Sequence, residues 1–190
     1  MPDQLNLSLW LRDFNEANML ERFEQLLRVF PFTRLRSGVS EVKIYAVEFS
    51  EPPLVEQAYP DDVTAEAVMA LCHDFENPDC AYEVEGWWDL WRYQTDWQLM
   101  PVRALLTCLG PQFENEVGDH LRLQLGAESD FLPAAGTPLS LRKARSNLAG
   151  LVRLARDLAE ALPVEGRSLW SESGENFAER LDGALFDEAT

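Results

Sequence analysis

Three carboxylates and three indole rings lie within nine residues near the middle of the chain. The stretch is Glu83–Trp91, with the sequence EVEGWWDLW. Glu83 and Glu85 are two residues apart, and on a strand that spacing is close to the ~5–10 Å that separates the two carboxyl groups of glycosidases. Indole rings beside carboxylates also suit a bound cation or a sugar. Neither pattern is specific. The carboxylate spacing, for example, is shared by residues i and i+2 of any strand.

The stretch alternates apolar and polar positions with a period of two, which predicts a strand over Tyr82–Tyr93. Val84 and Trp88 then lie on one apolar face with Leu90. A bulge at Gly86 would move the next acidic residue to the apolar side, so we expect an unbroken strand. The opposite, polar face carries Glu83, Glu85, Trp87, Asp89 and Trp91.

Other strands predicted by the same alternation add residues to this polar side. The alternation recurs in 5–12, 39–49, 102–109 and 120–125, and 54–59 is a candidate edge strand. It brings a further indole ring, an imidazole and a guanidinium to the side that carries the carboxylates. The predicted binding site therefore consists of Trp10, Glu83, Glu85, Trp87, Asp89, Trp91, His120 and Arg122.

Three helices are predicted from apolar positions that follow the helical period. They lie within 13–30, over 60–75 and over Leu139–Leu162, where the pattern is strongest. Together the elements predict a single α+β domain over residues 1–162. Its sheet is mixed and largely antiparallel, with about five strands, with the helices packed on one face and the long helix near the C-terminus.

The two ends of the chain carry further predictions. The order strand, helix, strand at the start predicts a parallel strand pair with a right-handed crossover. Residues 163–190 are predicted to form a C-terminal tail that is either docked as a short helix or partly disordered.

The chain is strongly acidic, with a formal net charge of −17 over 190 residues. A field of that sign repels phosphate backbones, so nucleic-acid binding is disfavoured and a basic protein partner is favoured. The charge is uneven, because 44–91 contains no lysine or arginine whereas Leu139–Leu162 contains five basic residues. Pairing of the acidic half with this basic helix is the alternative explanation.

The sequence carries no motif for covalent or cofactor chemistry. It contains no GxSxG, P-loop or GxGxxG pattern, so we expect no catalytic nucleophile and no cofactor. Metal-ligating residue types cluster in 72–80 and in 114–120, but a zinc site needs four convergent ligands. Cys72 and His73 diverge by about 100° on a helix. We therefore predict a buried thiol, a surface imidazole and no metal.

Compartment is predicted from what the sequence lacks. The N-terminus has neither the basic nor the apolar segment of a signal peptide, and no run approaches the roughly 20 apolar residues of a membrane span. The three cysteines are an odd number in a chain long enough to fold without disulfides. These features predict a cytoplasmic protein with reduced thiols and no membrane contact.

These observations favour a non-enzymatic interaction protein, of an inhibitor or immunity type, that binds a basic partner through its acidic, tryptophan-lined sheet face. A small hydrolase, or a sugar- or cation-binding protein, is the alternative, with Glu83, Glu85, Asp89 and His120 as the acid and base groups. A homodimer through the same face is a third possibility. The fourth is purely structural: cross-strand ion pairs, or coverage by the tail, stabilise the face.

Overall fold

A computed structural model describes residues 3–132, 138–171 and 177. Within these residues the chain forms seven strands and three α-helices. The strands are β1 (Gln4–Leu11), β2 (Val39–Ala46), β3 (Val55–Ala58), β4 (Cys80–Tyr93), β5 (Trp97–Leu109), β6 (Leu121–Ala127) and β7 (Val164–Ser171). The helices are α1 (Met19–Val29), α2 (Ala65–Asp74) and α3 (Pro138–Ala161). The α+β class predicted from the sequence is confirmed.

All seven strands belong to one sheet, in the order β3-β2-β4-β5-β6-β1-β7, and every neighbouring pair is antiparallel. The predicted count of about five strands was too low, and the predicted parallel pair is wrong. β1 and β2 point in the same direction, but β4, β5 and β6 lie between them. Each edge of β1 already has an antiparallel partner, β6 on one side and β7 on the other.

The strand at one edge of the sheet, β7, lies in the range predicted as a tail. Residues 164–171 form a strand rather than a helix or a disordered segment, and they pair with β1 from Leu5 to Leu11. Their sequence, VEGRSLWS, is poor in β-branched residues, so local propensity does not reveal the strand. Further along the same range, Phe177 is buried in the main core. The predictions for 172–176 and 178–190 lie outside the described residues.

One side of the sheet, the core face, consists of the residues that alternation placed inside. All are at most 3% exposed: Leu5, Leu7, Leu9, Val42, Ile44, Val84, Trp88, Leu90, Leu106, Leu121 and Leu123. Buried side chains of all three helices join the same cluster, including Phe23, Val68 and Leu158. Because burial of one such side chain contributes about 1.5–3 kcal/mol, this cluster is the main source of stability.

β4 is unbroken through Gly86, as predicted. Its register with β5 runs without interruption from Ala81 to Tyr93, and the irregularity opposite Gly86 lies in β2. A Cβ atom on residue 86 would lie 2.5 Å from a ring carbon of Phe32. Glycine is needed here for the close approach of Phe32, because no larger residue leaves room for that ring.

Candidate binding site on the polar face and the edge cleft

The second side of the sheet, the polar face, presents a row of polar side chains that crosses every strand. In order from β3 to β7 the row is Glu56, Lys43, Glu83, Thr107, Arg122, Ser8 and Ser168. Cross-strand neighbours on one face lie about 4.5–5.5 Å apart, so these side chains interact in sequence along the row. The predicted residues Glu83 and Arg122 therefore share a face, as alternation indicated, with β5 between them.

Most carboxylates of the polar face are paired with a cation of the same chain. Lys43 Nζ lies 3.0 Å from a Glu41 oxygen and 3.1 Å from a Glu56 oxygen. Glu85 forms an ion pair with Arg103 and accepts a 2.8 Å hydrogen bond from Ser40 Oγ. These pairs are of the kind expected from a purely structural role, in which cross-strand charges stabilise the sheet.

Glu83 differs from its neighbours. It is half-buried, and in the described part of the chain its carboxylate forms neither a hydrogen bond nor an ion pair. Burial raises the pKa of Glu83, and the charges of Lys43 and Arg103 only partly oppose the shift, while Glu41 and Glu85 add to it. Glu83 is therefore the carboxylate of this face whose charge is least compensated.

Two of the three tryptophans in the predicted site already hold cations of the same chain. The guanidinium carbon of Arg36 lies 4.1 Å from the Trp87 ring centroid. Lys143 Nζ lies 3.0 Å from the Trp91 ring centroid. Since a cation–π contact needs an accessible ring face, one face of each indole is occupied from within. The indole N–H of Trp87 is buried without a hydrogen-bond partner in the described residues.

His120 has a structural role. Its Nδ1 accepts a 2.9 Å hydrogen bond from the backbone N–H of Leu11, and its ring stacks on Phe14 at 4.3 Å between centroids. Burial lowers the pKa of His120, although the charges of Asp119 and Glu165 oppose the shift. Because Nδ1 accepts a backbone hydrogen bond, the imidazole is held neutral and in one tautomer.

Arg122 lies in a buried network centred on Asp119. Its Nε and Nη2 donate to the two Asp119 oxygens at 2.8 and 2.6 Å. Ser8 Oγ donates to Asp119 Oδ2 at 2.6 Å and accepts from the Trp170 indole N–H at 2.9 Å. The network links β6, β1 and β7, so it fixes the register of the strand that the sequence did not reveal. Trp10, another predicted residue, packs over Gly166 of the same strand.

The predicted site is therefore divided among several places. Glu83, Glu85 and Trp87 lie together on β4, whereas His120 lies across β5, two strand spacings or about 10 Å away. Asp89 accepts a 2.6 Å hydrogen bond from Thr33 Oγ1 and lies toward the other end of β4. The four acid and base groups of the hydrolase hypothesis do not converge, and each of Glu85, Asp89 and His120 has a structural partner.

Asn147 of α3 is a site residue that the sequence did not point to. Pairing of β4 with β2 ends at Gly86, and beyond the isolated bridge of Trp88 to Phe32 the outer backbone edge of β4 meets Asn147 at Trp91. Its Oδ1 accepts from the Trp91 backbone N–H at 2.9 Å, and its Nδ2 donates to the backbone carbonyls of Trp91 at 3.0 Å and Asp130 at 2.7 Å. The only signal in the sequence that could have pointed to Asn147 was an asparagine on the inner side of a helix, where this residue is uncommon.

Beside this edge of β4 lies a cavity of about 360 Å³, which we call the edge cleft. Trp88, Leu90 and Trp91 of β4 form one wall, and the segment 29–34 forms another. The third wall is α3, which contributes residues at helical spacing: Ser146, Asn147, Gly150, Arg153, Leu154 and Asp157. Two residues of the predicted site, Asp89 and Trp91, therefore line the edge cleft.

In the described residues no group of three or more His, Cys, Asp or Glu side chains is arranged to hold a metal ion. Cys72, Cys80 and Cys108 are buried free thiols. Burial raises the pKa of Cys72 to about 12 and, together with Asp79, that of Cys80 to about 11. His73 is exposed and lies 3.0 Å from Glu76.

Comparison with known proteins and the hydropathy of the helices do not reduce the number of candidate functions. No protein-family model matches the sequence, and no curated protein or solved structure is significantly similar to it. Among the described helices, none is long and apolar enough to cross a membrane. The fold and site define an α+β protein with a seven-stranded antiparallel sheet, one polar sheet face and a cleft at its edge.

Proposed function

We propose that this chain is a non-enzymatic, cytoplasmic interaction module that binds a basic protein through the polar face, with Glu83 at the centre of the contact. The observation that carries the proposal is the uncompensated carboxylate of Glu83 among paired neighbours. A half-buried carboxylate without a partner destabilises a fold. A lysine or arginine from another protein would supply the missing cation.

The arrangement of the helices supports the use of this face. Because the buried side chains of α1, α2 and α3 all join the core-face cluster, we infer that the helices pack on that side only. The loop after β5 covers one end of the polar face, where Phe113 packs on Ala81 and Leu109. Glu83 itself is only half-buried, although Thr107 beside it in the row is buried. The net charge of −17 would speed its encounter with a basic protein.

Replacing Glu83 with glutamine should stabilise the free protein by about 1 kcal/mol near neutral pH. The pKa of Glu83 is raised in the folded state, so folding favours its protonated form. Protonated Glu83 stabilises the fold relative to ionised Glu83. This contribution is complete below the carboxyl pKa of the unfolded chain and is lost as pH rises through the folded-state pKa. Urea unfolding at about pH 7.5 and about pH 4 measures this, and the difference should vanish at the lower pH. A glutamine variant that is less stable at both values would contradict the argument.

The same substitution should weaken partner binding by about tenfold, because it removes the charge and keeps the shape. Tagged wild type and Glu83→Gln serve as baits in a salt-titrated pull-down, and calorimetry then measures the affinity of each retained protein. Glu51→Gln is the matched control: it removes the same charge from an exposed loop position outside the strands. A partner retained by Glu51→Gln and lost by Glu83→Gln is the expected result. Identical prey for all three baits would refute the proposal.

Calorimetry also separates this site from general attraction to an acidic protein. A cation beside Glu83 lowers the pKa of its carboxyl, so binding should release protons and strengthen as pH rises through the raised pKa. The measured heat should then depend on the ionisation enthalpy of the buffer for wild type and not for Glu83→Gln. Hydrolytic turnover abolished by Glu85→Gln, or a dimer in light scattering that Glu83→Gln dissociates, would replace the proposal with one of its alternatives.

A further inference from the structure

The edge cleft has the size and composition of a small-molecule site. Its volume of about 360 Å³ falls within the roughly 300–1,000 Å³ of typical ligand pockets. Its apolar lining includes Phe32, Trp88, Leu99 and Leu154, and its charged lining consists of Arg34, Asp89, Arg153 and Asp157. Apolar walls with a few polar groups are what a ligand with an apolar body requires.

The uncompensated charge of the edge cleft is positive. Arg34 and Arg153 line it, both are exposed, and in the described part of the chain neither forms a hydrogen bond or an ion pair. The two acidic residues of the cleft are already engaged: Asp89 accepts from Thr33, and Asp157 lies 3.0 Å from Arg156. Two free guanidinium groups at one cavity are notable in a chain with a net charge of −17.

A glycine in the wall of α3 leaves the cleft open. Gly150 lies inside a 24-residue helix, where glycine is destabilising relative to alanine. A Cβ atom at this position would have no neighbour within 4 Å. Packing against another part of the described chain therefore does not account for glycine here. An ordinary side chain would occupy space that now belongs to the cavity.

From these three observations we infer that the edge cleft binds a small organic anion, a carboxylate or a phosphate ester with an aromatic or otherwise apolar body. The apolar part lies against Trp88 and Leu154. The anionic group lies at the rim between Arg34 and Arg153, whose planar guanidinium groups match carboxylate and phosphate oxygens. This site is separate from the polar face and does not depend on the function proposed for it.

The probe for the first experiment is 1-anilinonaphthalene-8-sulfonate, an aromatic anion that fluoresces in apolar sites. N-phenyl-1-naphthylamine is its neutral counterpart. We expect saturable binding of both to the wild-type chain. Arg34→Gln/Arg153→Gln should weaken binding of the anionic dye about tenfold and leave the neutral dye unchanged. Gly150→Leu should abolish binding of both, because its side chain fills the cavity.

Matched controls decide between this site and general surface effects. Arg142→Gln/Arg145→Gln removes two charges from the same helix at positions outside the cleft lining. Equal loss of the anionic dye in this control would overturn the inference, as would dye binding that survives Gly150→Leu. Gly150→Ala tests whether the glycine destabilises α3. Because alanine is a better helix former than glycine, this variant should raise the thermal unfolding midpoint by about 2–4 °C.

A competition arm tests the chemical class of the ligand. Benzoate and phenyl phosphate should displace the anionic dye, whereas benzylamine, of similar size and opposite charge, should not. Displacement by benzylamine as effective as that by benzoate would show that the arginines do not select the ligand, and would overturn the assignment of an anion. Failure of these arms leaves the polar-face proposal unaffected, because its pull-down uses different residues.

Discussion

Replacing Asp119 with alanine is expected to destabilise the fold by about 3 kcal/mol. The Asp119 side chain is 0% exposed and accepts hydrogen bonds from Ser8, Arg122 and Asn115. Removing it leaves the Arg122 guanidinium, whose side chain is only 23% exposed, without its counter-ion. It also leaves the Ser8 hydroxyl with no acceptor in the buried network. Loss of one partner of a buried ion pair costs more than the intact pair contributes.

Urea unfolding of Asp119→Ala against wild type measures this loss. Asp157→Ala is the control, because its ion pair with Arg156 is well exposed and should contribute less than about 1 kcal/mol. A loss for Asp119→Ala no larger than that of the control would show that the network does not hold β1, β6 and β7 together.

The same residue predicts a pH dependence. Burial alone would raise the pKa of Asp119, but the hydrogen bonds from Arg122, Ser8 and Asn115, with the charge of Arg122, lower it overall. Its contribution to stability is therefore complete above the ordinary aspartate pKa and is lost as pH falls through the lowered folded-state value. The stability difference between wild type and Asp119→Ala should persist through mildly acidic pH and shrink only below that range. A difference that is already lost near neutral pH would contradict this assignment.

Replacing Asn147 with alanine is expected to destabilise the fold by about 3 kcal/mol. The amide makes three hydrogen bonds to backbone groups of Trp91 and Asp130. The Trp91 groups lie on the outer edge of β4, where no strand pairs with them, and each buried polar group left unpaired costs roughly 1–3 kcal/mol. Asn147→Asp should be at least as destabilising, since it keeps the acceptor for the Trp91 N–H but places a buried carboxylate oxygen against two backbone carbonyls.

Hydrogen exchange provides a local readout for this prediction. The Trp91 amide should lose protection in Asn147→Ala and retain it in the exposed control Arg145→Ala on the same helix. Because Asn147 and Gly150 share a wall of the edge cleft, binding of the anionic dye should also weaken. Full protection of Trp91 in the alanine variant would show that another group satisfies the strand edge.

Alternation along β4 was sufficient to assign its two faces. Val84, Trp88 and Leu90 are buried, and Glu83, Glu85 and Trp87 lie on the other side, as the sequence predicts. The reason is physical: a strand turns successive side chains to opposite faces, so burial of one face is encoded locally. The same holds for the apolar face of α1.

The local sequence pattern did not predict which charged side chains contact which partners. The predicted cation-binding indoles of Trp87 and Trp91 carry Arg36 and Lys143, and these contacts join segments distant in the chain. His120 was predicted to be one of the acid and base groups, but its Nδ1 accepts a hydrogen bond from the Leu11 N–H. Charge composition indicated an acidic protein with a basic helix. It did not distinguish Glu83, which has no partner among the described residues, from Glu85, which has two.

The sequence by itself determined the class of fold, the core face and the candidate polar face, because each depends on periodicity within a single element. Only the tertiary structure decided the strand order, the edge strand β7 and the edge cleft. Strand pairing and cavities depend on contacts between residues far apart in the chain, and a weak strand former such as 164–171 becomes a strand when β1 offers it hydrogen bonds. The charges of Glu83, Arg34 and Arg153, which have no partner in the part of the chain that the structure describes, are likewise properties of the folded chain, since the fold decides which groups come within reach.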